Sequence, residues 1–261
     1  MTANQTSSLQ RLSRESSRYE YAIPDYEQHP DVYSRNWILL EWVGTHKRVL
    51  ELGCSTGFFS KYLRQKRACS VVGVEVDPVA AEEARKFCNE VLVRDLNSPE
   101  WIKGLPTKAF DMILMGDVLE HLVEPQVVLE QIRPMLAPNA SIIISLPNVV
   151  YWGTRLKILL GRFEYESFGI LDHTHLRFYT PKTARQMIEI AGYEIIRFHP
   201  VFGGPLSGYA RPAWQQLANW FPGVFAGQLL FEAKMPLGTG AAGPDRRGAD
   251  CDFQSEICDD K

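Results

Sequence analysis

The segment LELGCSTGFFS, Leu50 to Ser60, has the residue pattern best suited to holding a ligand. An apolar run enters Gly53, a tight turn follows, and Gly57 opens a run with helical spacing. Glycine carries no Cβ, so the backbone there can approach a ligand closely. The start of a helix also offers N–H groups that lack partners within it. Such a turn occurs in many α/β folds and names no ligand by itself. The next apolar run ends in Glu75, with Asp77 two residues later. A carboxylate in that place can accept both hydroxyls of a ribose, or it can be solvated at a strand end. Its distance after the glycine turn favours the ribose.

Imidazole is the side chain best suited to take or give a proton near neutral pH. His121 ends the block DVLEH that begins at Asp117, and His173 and His175 stand two apart beside Asp172 and Arg177. Each histidine is a candidate base, with Asp172 placed to orient an imidazole. Arg177 can bind a carboxylate or phosphate, or pair with an internal acid. The plainer reading has His121 packing the next helix and the other two anchoring a loop. Asp172, His173 and His175 lack a distant ligand set, so no metal is expected.

Short apolar runs alternate with longer mixed ones along the chain. Lys47–Gly53, Cys69–Val76, Glu90–Leu96, Phe110–Asp117, Ser141–Pro147, Tyr193–Pro200 and Gly227–Lys234 read as strands. Asn36–Val43, Phe58–Lys66, Pro78–Cys88, Pro125–Leu136 and Thr180–Ala191 read as helices. Thr180 is placed to cap the last of these, Pro181 fits its first position and Gly192 stops it. The alternation predicts an α/β fold, a Rossmann-like, mostly parallel seven-stranded sheet with helices on both faces. The last strand is expected to pair antiparallel with the one before it.

Residues 1–18 read as a flexible leader, 19–46 as an N-terminal lid and helix, and 47–235 as the main domain. Within it, 151–179 is a cap insertion, and 236–261 read as a disordered tail. The chain has a formal net charge of −3 and no basic track, so no nucleic-acid partner is expected. The start lacks an apolar signal region, and the greasiest run, Ala140–Leu146, is strand-sized, so no membrane span is expected. Five cysteines without metal spacing suit free thiols in a cytoplasmic protein.

With these elements in place, the chain resembles the class I S-adenosylmethionine-dependent methyltransferases. Glu51, Gly53, Ser55 and Gly57 follow the family's acidic-x-Gly-x-Gly-x-Gly turn, with Ser55 at the middle glycine and Cys54 inside the loop. The block Asp117, Val118, Glu120, His121 and the helix, turn and strand after it are similar to ubiquinone-biosynthesis-like methyltransferases. There APNA stands where KPGG is usual. The stretch HLRFYTPKTARQMIEIAGYEI resembles bacterial small-molecule and saccharide methyltransferases, and the likeness spans about Tyr33 to Lys234. It implies S-adenosyl-L-methionine as cofactor and S-adenosyl-L-homocysteine as product. It also implies Glu51 near the methionine amino group, Gly53 at the closest backbone approach and Glu75 on the ribose. Asp95 would meet the adenine amino group with Leu96 against the ring, and Asp117 and Val118 would complete the cofactor site.

On the acceptor side, Trp152, Phe163, Tyr165 and Phe168 read as pocket wall, with Arg177 as a polar contact. Tyr21 and Tyr33 would close over the ligands. Trp152 and Leu156 to Leu160 could form an amphipathic cap, too short to favour a membrane surface. The expected reaction is methyl transfer to a hydroxyl, less readily an amine, of a small metabolite, sugar or natural-product intermediate. A non-catalytic cofactor-binding scaffold is the alternative. An oxidoreductase is less favoured, because ELGCSTG is not GxGxxG and no Tyr-x-x-x-Lys accompanies DVLEHL. The expected partner is a small-molecule or saccharide-like acceptor, and the chain is expected to be a monomer or homodimer.

Overall fold

The computed structural model describes residues 33–203 and 211–236. Tyr21, the leader, Cys251, Cys258 and nearly all of the tail lie outside the described residues. Ser34 caps the first helix, α1 (Arg35–Val43), by accepting the Trp37 N–H at 3.2 Å. Four parallel strands follow, β1 (Arg48–Leu52), β2 (Ser70–Glu75), β3 (Glu90–Val93) and β4 (Phe110–Gly116). Helices α2 (Phe58–Arg67) and α3 (Pro78–Ala84) connect the first three. After α4 (Pro125–Gln131), the long β5 (Leu136–Pro147) pairs parallel with β4.

Beyond α5 (Trp152–Leu159), α6 (Pro181–Ile190) leads into β6 (Glu194–Phe202). Then α7 (Arg211–Trp220) and the short α8 (Pro222–Phe225) lead to β7 (Ala226–Lys234). The seven strands lie in the order β3-β2-β1-β4-β5-β7-β6, and β7 runs antiparallel to both its neighbours. The expected mostly parallel, seven-stranded α/β sheet is therefore present.

Alternation along the central strands sends side chains to two apolar layers. Met112, Leu114 and Ile143 join Leu39, Leu40 and Leu63 on the face covered by α1 and α2. Ile113, Met115, Ile142 and Ile144 join Leu129, Met187 and Ile188 on the other. Because β4 and β5 are covered on both faces, their sequences read as near-continuous apolar runs.

Some boundaries differ from expectation for local reasons. The helix expected to reach Leu136 stops at Gln131, and a 3-10 turn over Arg133–Met135 follows. Pro134 has no N–H and would clash with the carbonyl four residues back. The helix expected through Cys88 stops at Ala84, and Arg64 takes up the Phe87 and Cys88 carbonyls at 2.9 and 3.1 Å. Helix α7 had no counterpart in the sequence reading. Its buried Gln215 accepts the Phe202 N–H at 3.0 Å and donates to the Pro200 carbonyl, tying α7 to the end of β6. Among the described residues, no helix is long and apolar enough to cross a membrane.

Candidate functional site

The glycine turn leaves the carboxyl end of β1 with Gly53 at φ +68°, Ser55 at +47° and Gly57 at +86°. The Gly53 and Cys54 N–H groups donate to the Val74 carbonyl at 2.8 and 3.1 Å, which holds the turn against β2. A Cβ on Gly53 would lie 2.7 Å from Val118 Cγ2, so this residue is glycine for space as well as for conformation. Helix α2 begins at Gly57 with no side chain capping it. Among the described residues, the buried hydroxyl oxygen of Ser55 has no hydrogen-bond partner.

Glu75, at the end of β2, accepts the Ser55 N–H at 2.7 Å and those of Val76 and Asp77 at 2.9 and 3.0 Å. Its carboxylate thus joins the glycine turn to the start of α3. Asp95 is exposed beyond β3, where its carboxylate accepts the backbone and side-chain N–H groups of Asn97 at 2.8 and 3.1 Å. Leu96 beside it is buried. Asn97 in turn accepts the Val123 N–H at 2.9 Å, so the Asp95 loop and the segment after His121 are fastened together. A cradle too tight for a Cβ, an orphaned hydroxyl, an uncapped helix start and two acidic side chains after successive strands fit an adenosyl ligand.

Glu51 is buried, and its carboxylate accepts the Ser60 hydroxyl, to which the Cys88 thiol donates at 3.0 Å. Burial pushes its pKa from 4.5 up to about 8, against the lowering effect of the Ser60 bond. Ser60 did not figure in the sequence reading, although its place one turn into α2 faces it back to β1.

Asp117 adopts φ +58° at the end of β4 and makes an ion pair with Arg35 of α1. It also accepts the Ser145 hydroxyl and, at 3.4 Å, the Gln228 amide. Asp117 therefore pins the N-terminal helix across the ends of β4, β5 and β7, with Val118 filling the space under Gly53. Arg35 carries no motif that marks it in the sequence.

Three residues later the chain brings together groups that are distant in sequence. Glu120, His121 and His175 place ligand atoms within 4.8 Å of one another, a spacing that could surround a cation. Glu120 is fully buried, neither carboxylate oxygen has a hydrogen-bond partner among the described residues, and burial raises its pKa to about 8. The His121 and His175 rings meet edge to face at 4.8 Å, and burial lowers the pKa of both. Two backbone bonds fix the approach, from Leu176 N–H and Arg177 N–H to the Glu120 carbonyl at 2.8 and 3.0 Å. The sequence singled out the two histidines but gave Glu120 no role, since an acid in a helical block looks like ordinary solvated charge.

His173 stands apart from this trio. Its Nδ1 faces the Glu166 carbonyl at 3.2 Å and Asp172 at 3.5 Å. Arg177 donates to the Val123 carbonyl at 2.6 Å. The aromatic rings continue outward from the trio: His175 to Phe178 at 6.2 Å, Phe178 to Phe163 at 6.4 Å and Phe163 to Tyr165 at 5.8 Å. Trp152 packs on Tyr151, while Phe168 is 78% exposed. Tyr33 lies beneath the Arg211 guanidinium at 5.9 Å.

Comparison with known proteins places this arrangement. The profile of a family described as a methyltransferase domain matches residues 21–197, more than half of the chain. The ubiquinone biosynthesis O-methyltransferase of Aeromonas salmonicida (strain A449) is 25% identical over 182 residues, 66% of this chain and 76% of that protein. A SAM-dependent methyltransferase of Thermotoga maritima, described as a possible histamine N-methyltransferase, superposes with a TM-score of 0.58 at 18% identity. The match covers 87% of this chain and 97% of that one. A cyclase, SpnF, superposes with a TM-score of 0.56 at 17% identity, covering 88% and 94%. Likeness in shape at this identity shows the fold and leaves the reaction to the residues.

Proposed function

Because the chain belongs to the methyltransferase-domain family, as a class I S-adenosylmethionine-dependent methyltransferase, we propose that it methylates a hydroxyl rather than an amine. The acceptor is a small metabolite, sugar or natural-product intermediate. The observation that carries this reading is the meeting of Glu120, His121 and His175 just after Val118, whose side chain packs under Gly53 of the glycine turn. A hydroxyl is a poor nucleophile until a neighbouring group accepts its proton, and burial keeps the two imidazoles of this trio neutral and able to accept one.

The bound cofactor supplies an electrophilic methyl group on a sulfonium. Gly53, Ser55 and Gly57 give its methionine portion a backbone cradle, and Glu51 offers a carboxylate to the amino group. Glu75 and Asp95 serve ribose and adenine, with Leu96 against the ring, while Cys54 and Val118 pack the cradle from behind. The acceptor enters over the trio, between the ring ladder of Phe178, Phe163 and Tyr165 and residues 151–160. An imidazole of His121 or His175 would take the proton from its oxygen as the cofactor's methyl group is transferred to it. Arg177 and Asp117 act mainly on the protein's own backbone and on Arg35, and so shape the mouth rather than bind substrate. The buried free thiols of Cys54, Cys69 and Cys88 support a reducing, cytoplasmic setting.

The test is incubation with methyl-labelled cofactor and a panel of hydroxyl and amine acceptors, sugars included, followed by mass spectrometry. Label on an acceptor oxygen together with S-adenosylhomocysteine supports the reading. Label confined to nitrogen, or cofactor binding without any methylated product, overturns it.

A further inference from the structure

We propose that Asp172 and Thr174 are positioning residues that hold His121 as the Nδ1–H tautomer and so direct its Nε2 lone pair at the acceptor. This rests on the hydroxyl-acceptor reading above. His121 Nδ1 lies 3.2 Å from the Thr174 carbonyl oxygen and 3.1 Å from the Thr174 hydroxyl. A carbonyl can only accept a hydrogen bond. The single hydroxyl hydrogen of Thr174 is committed to Asp172 Oδ1 at 2.7 Å, so toward His121 that hydroxyl also only accepts. Both partners of Nδ1 therefore require a proton on it. In the neutral ring the lone pair is then on Nε2.

The relay is built into the backbone. Asp172 is 8% exposed, and its Oδ1 also accepts the Thr174 N–H at 2.8 Å. Burial raises the Asp172 pKa, but the two bonds from Thr174, together with the neighbouring His175 and His173, outweigh it and keep the carboxyl below its usual value, ionised and able to accept. The bonds from Leu176 and Arg177 to the Glu120 carbonyl clamp residues 174–177 onto the His121 segment. His175 closes the other side: its Nδ1 meets the Ile170 carbonyl at 3.2 Å and its ring braces His121 edge to face. Burial holds His121 below its ordinary pKa, which favours the neutral ring. The sequence LDHTH thus supplies the two side chains that aim His121, and in His175 the ring that braces it.

The experiment compares the full chain with Thr174→Val, Asp172→Ala and Thr174→Ser. Nitrogen NMR of histidine-labelled protein reads the tautomer, with the His121 signal assigned by its loss in His121→Asn. Calorimetry with S-adenosylhomocysteine reads the cofactor site, and steady-state kinetics separate kcat from KM. In the wild type His121 should be Nδ1–H. Asp172→Ala frees the Thr174 hydroxyl to donate to Nδ1 in competition with the Thr174 carbonyl, and should add a measurable Nε2–H population to the Nδ1–H form. Its kcat should fall on the order of a hundredfold, the lower end of what a positioned base contributes. Thr174→Val should lose about tenfold in kcat, and Thr174→Ser should restore it. KM and S-adenosylhomocysteine affinity should stay put in all three.

An Nε2–H ring in the wild type overturns the relay, as does an unchanged kcat in both Asp172→Ala and Thr174→Val. Turnover lost to a chelator and restored by a divalent cation would replace the base role altogether. If the tautomer behaves as described but no hydroxyl acceptor is methylated, the hydroxyl reading fails while the aimed ring stands.

Discussion

A carboxylate without water and without a full set of donors pays for its burial in proton affinity, and Glu51 shows what that does to the molecule. Its folded-state pKa is raised from 4.5 to about 8, with burial as the largest cause. The folded protein therefore holds a proton that the unfolded chain releases. Stability from this group is intact below about pH 4.5, falls as pH rises toward 8 and levels off beyond it. The cost is about a few kcal/mol when fully expressed. Glu120 has a shift of the same sign and cause, which adds a second slope. Thermal unfolding of Glu51→Gln between pH 5 and pH 9 should therefore show a shallower decline than the wild type, with about one of the two slopes removed. Parallel curves would mean that Glu51 is ionised in the folded protein. A cationic amino group placed against Glu51 should draw the proton off, which links cofactor affinity to the same ionisation.

At the scale of elements, the framework was legible where local chemistry and periodicity agree. Thr180 accepts the Thr183 N–H at 3.1 Å and Thr183 returns a bond to the Thr180 N–H at 2.9 Å, with Pro181 at the first helical position and Gly192 at φ +84° beyond the end. Thr180→Ala should lower stability by about 1 kcal/mol, read as a denaturant midpoint, with cofactor affinity unchanged. Gly53→Ala is different in kind. Its methyl would fall 2.7 Å from Val118 at a left-handed φ, and on the order of 1–3 kcal/mol of stability should be lost with cofactor binding. An alanine variant that binds cofactor normally would contradict the cradle. Other features were not legible because their cause lies elsewhere in the chain. Helix α7 follows residues 204–210 and is tied to β6 by Gln215, whose burial no local pattern announces. Glu120 became a site residue only when residues 172–177 folded over it. The Arg35–Asp117 pair joins two elements whose adjacency is a property of the sheet order.

In the whole molecule, the strand order reverses direction between β1 and β4. An open parallel sheet leaves a crevice at the carboxyl ends of its strands at such a point. The glycine turn leaves β1 there and the Asp117–His121 block leaves β4 there, so the turn and that block share one crevice because of topology. The antiparallel β7 then places Gln228 next to Asp117 and brings the end of the sheet over the N-terminal helix. This explains why site residues separated by more than a hundred positions converge, although each is recognisable alone only as a glycine, an acid or a histidine. The central claim is that this crevice holds S-adenosylmethionine by the turn after β1 and the acids after β2 and β3. Calorimetric titration with S-adenosylhomocysteine tests it most directly, comparing the wild type with Asp95→Ala, an exposed position whose loss leaves the core intact. The wild type should bind with micromolar affinity, and Asp95→Ala should weaken that about tenfold or more at unchanged thermal stability. No binding by the folded wild type, or equal binding by the variant, would contradict the assignment.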